Sequence, residues 1–135
     1  MATTYEWDVD IQGFVAEGTV YGKCAVVWGT NPSKQVKVPT GATYIVGVVY
    51  GGAREAFLTT KAVDVARSGI VEICATAAVI TAGQAVYVDT DGRVTAVAGG
   101  AATQYAIGIA QTTTAGSLDD LCSVLLGNIA VTVHA

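Results

Sequence analysis

Ala85-Val86-Tyr87-Val88-Asp89-Thr90-Asp91-Gly92-Arg93-Val94-Thr95-Ala96-Val97 is the stretch on which the fold reading turns. Two runs rich in β-branched and aromatic residues flank an Asp-Gly pair. Asp91-Gly92 can supply positive φ at both central positions of a type I′ turn, so two strands are expected to fold back on each other here. The same texture continues in both directions, as short apolar runs punctuated by glycine and turn formers. Upstream, runs are expected at residues 13–20, 24–28, 35–38, 44–50, 57–66 and 70–75, with Arg67-Ser68-Gly69 turning the chain between the last two. Downstream they fall at 105–111, 121–126 and 129–134, after a loop at 99–103. No stretch keeps a 3.6-residue apolar period, and a one-turn helix is expected only at residues 117–120, capped by Ser117. The fold class is all-β, a small β-barrel or β-sandwich. Residues 1–135 form one domain, and residues 1–12 are read as an N-terminal arm.

Composition narrows the function. Of the 135 residues, 52% are hydrophobic and 13% charged, against roughly 25% charged in an average soluble domain. There is one histidine, His134, so histidine-based triads and metal sites have no partners to draw on. A formal net charge of −4, with seven basic residues spread from Lys23 to Arg93, argues against nucleic acid as a partner. Residues 1–12 are polar and acidic, unlike a secretory signal, and the longest apolar runs are too short to span a bilayer. Cys24, Cys74 and Cys122 are far apart and sit among apolar neighbours. They read as reduced, buried thiols made in a reducing compartment.

Motifs that could carry chemistry fail on spacing. Gly18-Thr19-Val20-Tyr21-Gly22-Lys23-Cys24 has three residues between its glycines and a cysteine after the lysine. A phosphate-binding loop needs four residues there, and a Ser or Thr for magnesium. Asp89-Thr90-Asp91-Gly92 opens like a calcium loop, but position 100 is glycine where a bidentate glutamate belongs. Asp119-Asp120 is the one adjacent carboxylate pair, and a solvated helix start accounts for it. No catalytic, cofactor-binding or metal-binding residue is assigned, and the chain is not read as an enzyme. An enzyme reading would need Asp89, Asp91, Asp119 and Asp120 gathered round a metal.

Two readings of the aromatic-rich beginning stand side by side. Tyr5, Trp7 and Phe14 either pack in the core or dock the arm onto a partner, since Trp and Tyr are enriched among interface anchors. Strands such as residues 44–50, apolar on both faces, must be covered on both. A single sandwich of this size is not expected to cover them all, so a homo-oligomer is expected.

The order of Ile80-Thr81-Ala82-Gly83-Gln84-Ala85-Val86-Tyr87-Val88-Asp89, Gly92-Arg93-Val94-Thr95, Ile107-Gly108-Ile109-Ala110 and Val124-Leu125-Leu126-Gly127 resembles the capsid decoration, or cement, proteins of tailed bacteriophages. Gly47-Val48-Val49 is similar to that family's first Gly–apolar strand, and the resemblance covers about residues 40–133. It implies a small β-barrel or β-sandwich on the capsid exterior of the virion, made in the host bacterial cytoplasm. It also implies a trimer, or sometimes a dimer, that binds the major capsid protein, bridges neighbouring subunits and stabilises the head. The alternative is a β-sandwich module binding carbohydrate or peptide in a phage fibre or receptor-binding apparatus. Exposed Trp7, Trp28, Tyr50 and Tyr87 in a shallow groove would favour it.

Overall fold

The computed structural model describes residues 4–39, 45–89, 91–96 and 103–132. His134 and residues 99–102 of the expected loop lie outside them. The described residues hold strands and turns and no helix, as the all-β reading expects.

The deciding stretch folds as a hairpin of β8 (Ala85–Val88) and β9 (Val94–Thr95), with Tyr87 opposite Thr95 and Val88 opposite Val94. Its turn differs from expectation. Asp89 N–H donates to Arg93 O and Gly92 N–H to Asp89 O, so the turn closes between Asp89 and Arg93 rather than tightly about Asp91-Gly92. Gly92 takes the left-handed conformation, at φ 89. Glycine thus sits at the left-handed position just before the closing Arg93, where it carries no steric cost.

The first strand also starts earlier than expected. β1 is Trp7–Ala16, so residues 7–12 of the expected arm lie in a strand. Expected runs 57–66 and 70–75 are largely one strand, β7 (Ala62–Cys74), passing straight through Arg67-Ser68-Gly69. Gly69, at φ 96, faces a bulge in β1, where Asp8 and Val9 stand against it between the pairs Trp7–Ile70 and Asp10–Ser68. Asp8, itself left-handed at φ 54, comes so close there that a Cβ on residue 69 would collide with its carbonyl. Residues 117–120 form a turn instead of a helix, with Asp119 at φ 65 and Asp120 N–H donating to Ser117 O.

The remaining strands are β2 (Val20–Tyr21), β3 (Ala25–Trp28), β4 (Gln35–Lys37), β5 (Gly47–Val49), β6 (Ala56–Phe57), β10 (Thr103–Ala110) and β11 (Leu121–Thr132). β2 and β6 make a separate two-stranded ribbon. The others follow the order β1-β4-β3-β5-β7-β11-β10-β8-β9. β1 also pairs with β7, Phe14 opposite Val63, which closes β1-β4-β3-β5-β7 into a ring. A bridge between Ala75 and Val94 joins β9 back to the end of β7 and closes a second ring, β7-β11-β10-β8-β9. The long β7 is thus a stave of both small barrels.

Each ring has its own core. Phe14, Ala16, Val26, Val36, Val49, Val63 and Val65 fill the first. Val71, Ile73, Ala75, Val86, Val94, Ala110, Cys122 and Val124 fill the second, and Ala25, Val27, Val48 and Ala66 from the back of the first ring join them. Gly47, Val48 and Val49 are all buried within this one chain. The two-sided apolar strands therefore find both covers internally, because the second barrel packs on the back of the first. That pattern no longer requires another subunit.

Candidate docking surface

Phe14 is 4% exposed, inside the first barrel, with its ring edge-on to Trp28 at 5.4 Å and 72°. The Arg67 guanidinium stacks over both rings, 5.9 Å from Phe14 and 5.4 Å from Trp28. Its docking assignment is corrected to core packing. Tyr5 and Trp7 are 45% and 70% exposed. The backbone around Tyr5 is tied down: its N–H donates to Ser123 Oγ at 2.8 Å, and that hydroxyl donates to Tyr5 O at 2.7 Å. Thr4 donates to Glu72, and Glu6 accepts from Glu72 N–H. Residues 4–6 thus clasp β7 and β11. Burial alone would raise the Glu72 carboxyl, but hydrogen bonds from Thr4 and Lys23, 3.1 Å away, outweigh it and hold it below the ordinary range.

Strand register lines up a row of apolar side chains. Trp7 is opposite Ile70, Ile70 opposite Leu125, Leu125 opposite Ile109, and Ile109 opposite Ala85. Directly opposed residues share a sheet face. Leu125 is 46% exposed, and Ile70, Ile109 and Ala85 are half-buried. The row crosses β1, β7, β11, β10 and β8. No motif in the sequence announced it, since only register brings residues so far apart together.

The acids expected to mark any reactive centre are engaged otherwise. Arg93 reaches Asp119 with Nε to Oδ1 at 2.6 Å and Nη2 to Oδ2 at 3.3 Å, and pairs with Asp91 through Nη1. Asp120 Oδ2 accepts from Ala115 N–H, closing its own turn. Burial, with Asp91 beside it, pushes the Asp89 carboxyl up to about 6. Among the described residues, no group of three or more His, Cys, Asp or Glu could hold a metal ion. Cys24, Cys74 and Cys122 are free and buried. A hydrogen bond with Cys74, helped by the Arg54 guanidinium 3.3 Å from its sulfur, holds the Cys24 thiol down to about 7; Cys74 is raised in turn. Arg54 also stacks 4.1 Å over Tyr21 and donates to Asp91 O, pinning the hairpin loop to the first barrel.

Of the aromatics named for a glycan groove, Tyr87 is buried and Trp28 packs on Phe14, leaving Trp7 and Tyr50 exposed. The surface therefore offers an apolar row on a rigid sheet, beside a clasped N-terminal segment.

No curated protein sequence matches the chain. A family model described as phage cement protein matches residues 15–126, most of the chain, including part of the region before residue 40. The all-β architecture closed into rings and this match agree: the chain belongs to the phage cement proteins, bacteriophage structural proteins associated with the capsid.

Proposed function

We propose that this chain binds the outer surface of the phage head, bridges neighbouring major capsid subunits and stabilises the shell. It acts through interface area, with no reactive centre of its own. The observation that supports this reading is the apolar row from Trp7 to Ile109, in which Trp7 and Leu125 are exposed and Ile70 and Ile109 half-buried, outside the two cores. Large apolar side chains exposed together on a rigid scaffold mark interaction surfaces. Because each head repeats the same contact many times, modest affinity per site adds up to strong attachment of the whole layer.

The test is reconstitution on heads purified without this protein. The expected result is saturation at a fixed ratio to the shell subunit and a higher temperature of head rupture. Heads that bind the chain yet rupture at the same temperature would overturn the stabilising role. Heads that ignore it would overturn the reading as a whole.

A further inference from the structure

Cys24 and Cys74 are free, buried and far apart in the chain, yet the fold brings them together. Cys74, the last residue of β7, donates its N–H to Lys23 O at 2.7 Å. One such bond holds the Cα atoms of residues 24 and 74 within about 6 Å, inside the span of a disulfide. The two side chains also hydrogen-bond each other, so their sulfurs point together. Cys122 is placed differently, its thiol donating to Thr112 O at 3.5 Å. Of the pair, Cys24 is the one within reach of the surface. Arg54 Nη1 stands 3.3 Å from its sulfur, and Gly52, Ala53 and Glu55 around that arginine are exposed. A single side chain from a surface turn therefore overlies Cys24. The hydrogen bond from Cys74, helped by Arg54, holds the Cys24 thiol down to about 7, so much of it is thiolate at neutral pH. The same hydrogen bond, with burial, raises Cys74, which keeps its proton, and burial raises Cys122.

We propose that Cys24 and Cys74 form an oxidation site, which hydrogen peroxide closes to a disulfide within the folded chain. Cys24 is 1% exposed, so the oxidant has to be small enough to pass beneath the Arg54 side chain. The Cys24 thiolate attacks one peroxide oxygen, and the O–O bond breaks. Cys24 becomes a sulfenic acid, while the departing hydroxide takes a proton from solvent and leaves as water. The Cys74 sulfur then attacks the Cys24 sulfur. An S–S bond forms, the S–O bond breaks, and the hydroxyl departs with the Cys74 proton as a second water. The two cysteines lose two electrons in all, and the peroxide gains them. The new bond ties the entry of β3 to the end of β7, beside the Ala75–Val94 bridge that closes the second ring.

The test uses the purified chain and needs no phage heads, so a failure of head binding leaves the proposal standing. The folded protein is treated with hydrogen peroxide at neutral pH, and remaining thiols are capped with N-ethylmaleimide in denaturant. Peptides are then read by mass spectrometry without reduction. The expected product is a linked pair of peptides holding Cys24 and Cys74, two hydrogens lighter than the separate thiol peptides, with Cys122 capped. Cys74→Ser should stop at the Cys24 sulfenic acid, which dimedone traps at least about tenfold faster than any at Cys122. Cys122→Ser should cross-link as the wild type does. Full capping of Cys24 and Cys74 after peroxide, a link through Cys122, a link between two chains, or a link that forms only in urea would each overturn the proposal.

Discussion

Gly92→Ala tests whether the β8–β9 hairpin is locked to β3 as the structure has it. Gly92 combines a φ of 89 with a close crossing: a Cβ there would stand 2.7 Å from Ala25 O and 3.1 Å from Cys24 Cβ. Reaching an ordinary separation of about 3.4 Å means moving one backbone by about 0.7 Å. That movement strains the 2.8 Å hydrogen bond from Ala25 N–H to Gly92 O, beside the edge that closes the second ring. Overpacking against fixed backbone costs roughly 1–3 kcal/mol, and a left-handed alanine adds roughly 1–2 kcal/mol. The expected destabilisation is therefore about 3 kcal/mol, read as a fall in the urea midpoint of about 1.5 M for a slope near 2 kcal/mol per M. Gly83→Ala is the control. It has φ 95 and nothing within 4 Å, so it should show the backbone cost alone, roughly 1–2 kcal/mol. Equal midpoints for the two variants would refute the steric part of the argument and with it the tight crossing of hairpin and β3.

On heads, Trp7→Ala should weaken binding by about 2–4 kcal/mol per site, the range for a well-buried aromatic anchor, and Leu125→Glu should do so at least as strongly; a binding isotherm unchanged by both would remove the apolar row from the interface. Asp89 has its folded pKa raised to about 6 from 3.8, mainly by burial. Its contribution is thus fully present below about pH 4 and is lost as pH rises through 6. Asp89→Asn keeps the oxygen that accepts Asp91 N–H and should flatten that loss, gaining about 1 kcal/mol at neutral pH once solvent screening is allowed for; parallel pH–melting curves for the two proteins would contradict it. Arg93→Met strands Asp91 and Asp119 around a mostly buried site and should cost about 2 kcal/mol. A melting temperature equal to wild type would show that those acids do not need the guanidinium.

The hairpin at Asp89–Arg93 was legible because period-2 alternation on both sides of an Asp-Gly pair is a local signal. Its loop length was not, since it depends on how Asp89 and Arg93 bond across the strand pair. Arg67-Ser68-Gly69 reads as a turn in any sequence. It faces a bulge here, because Asp8, about sixty residues earlier, occupies the space beside Gly69. The two-sided apolar character of residues 44–50 demanded two covers, which the sequence sought in another copy of the chain; for Gly47, Val48 and Val49 the second barrel supplies the outer one. Trp7 and Phe14 look equivalent in the chain. Only the pairing of Phe14 with Val63 turns it inward, while Trp7 sits beyond the register shifts in β1 and stays exposed. The row through Ile70, Leu125 and Ile109 is a product of long-range register, which no local pattern encodes.

Strand β7, running unbroken through both rings, bears on how the molecule meets force. A pull arriving at one barrel reaches the other along covalent main chain, so the halves cannot be peeled apart at a seam. Failure must instead begin by sliding β7 against β1, β5 and β11 together, which loads many hydrogen bonds in shear at once. The molecule is in this sense a single stiff rod with two barrels built on it, and offers nowhere obvious for a tear to start.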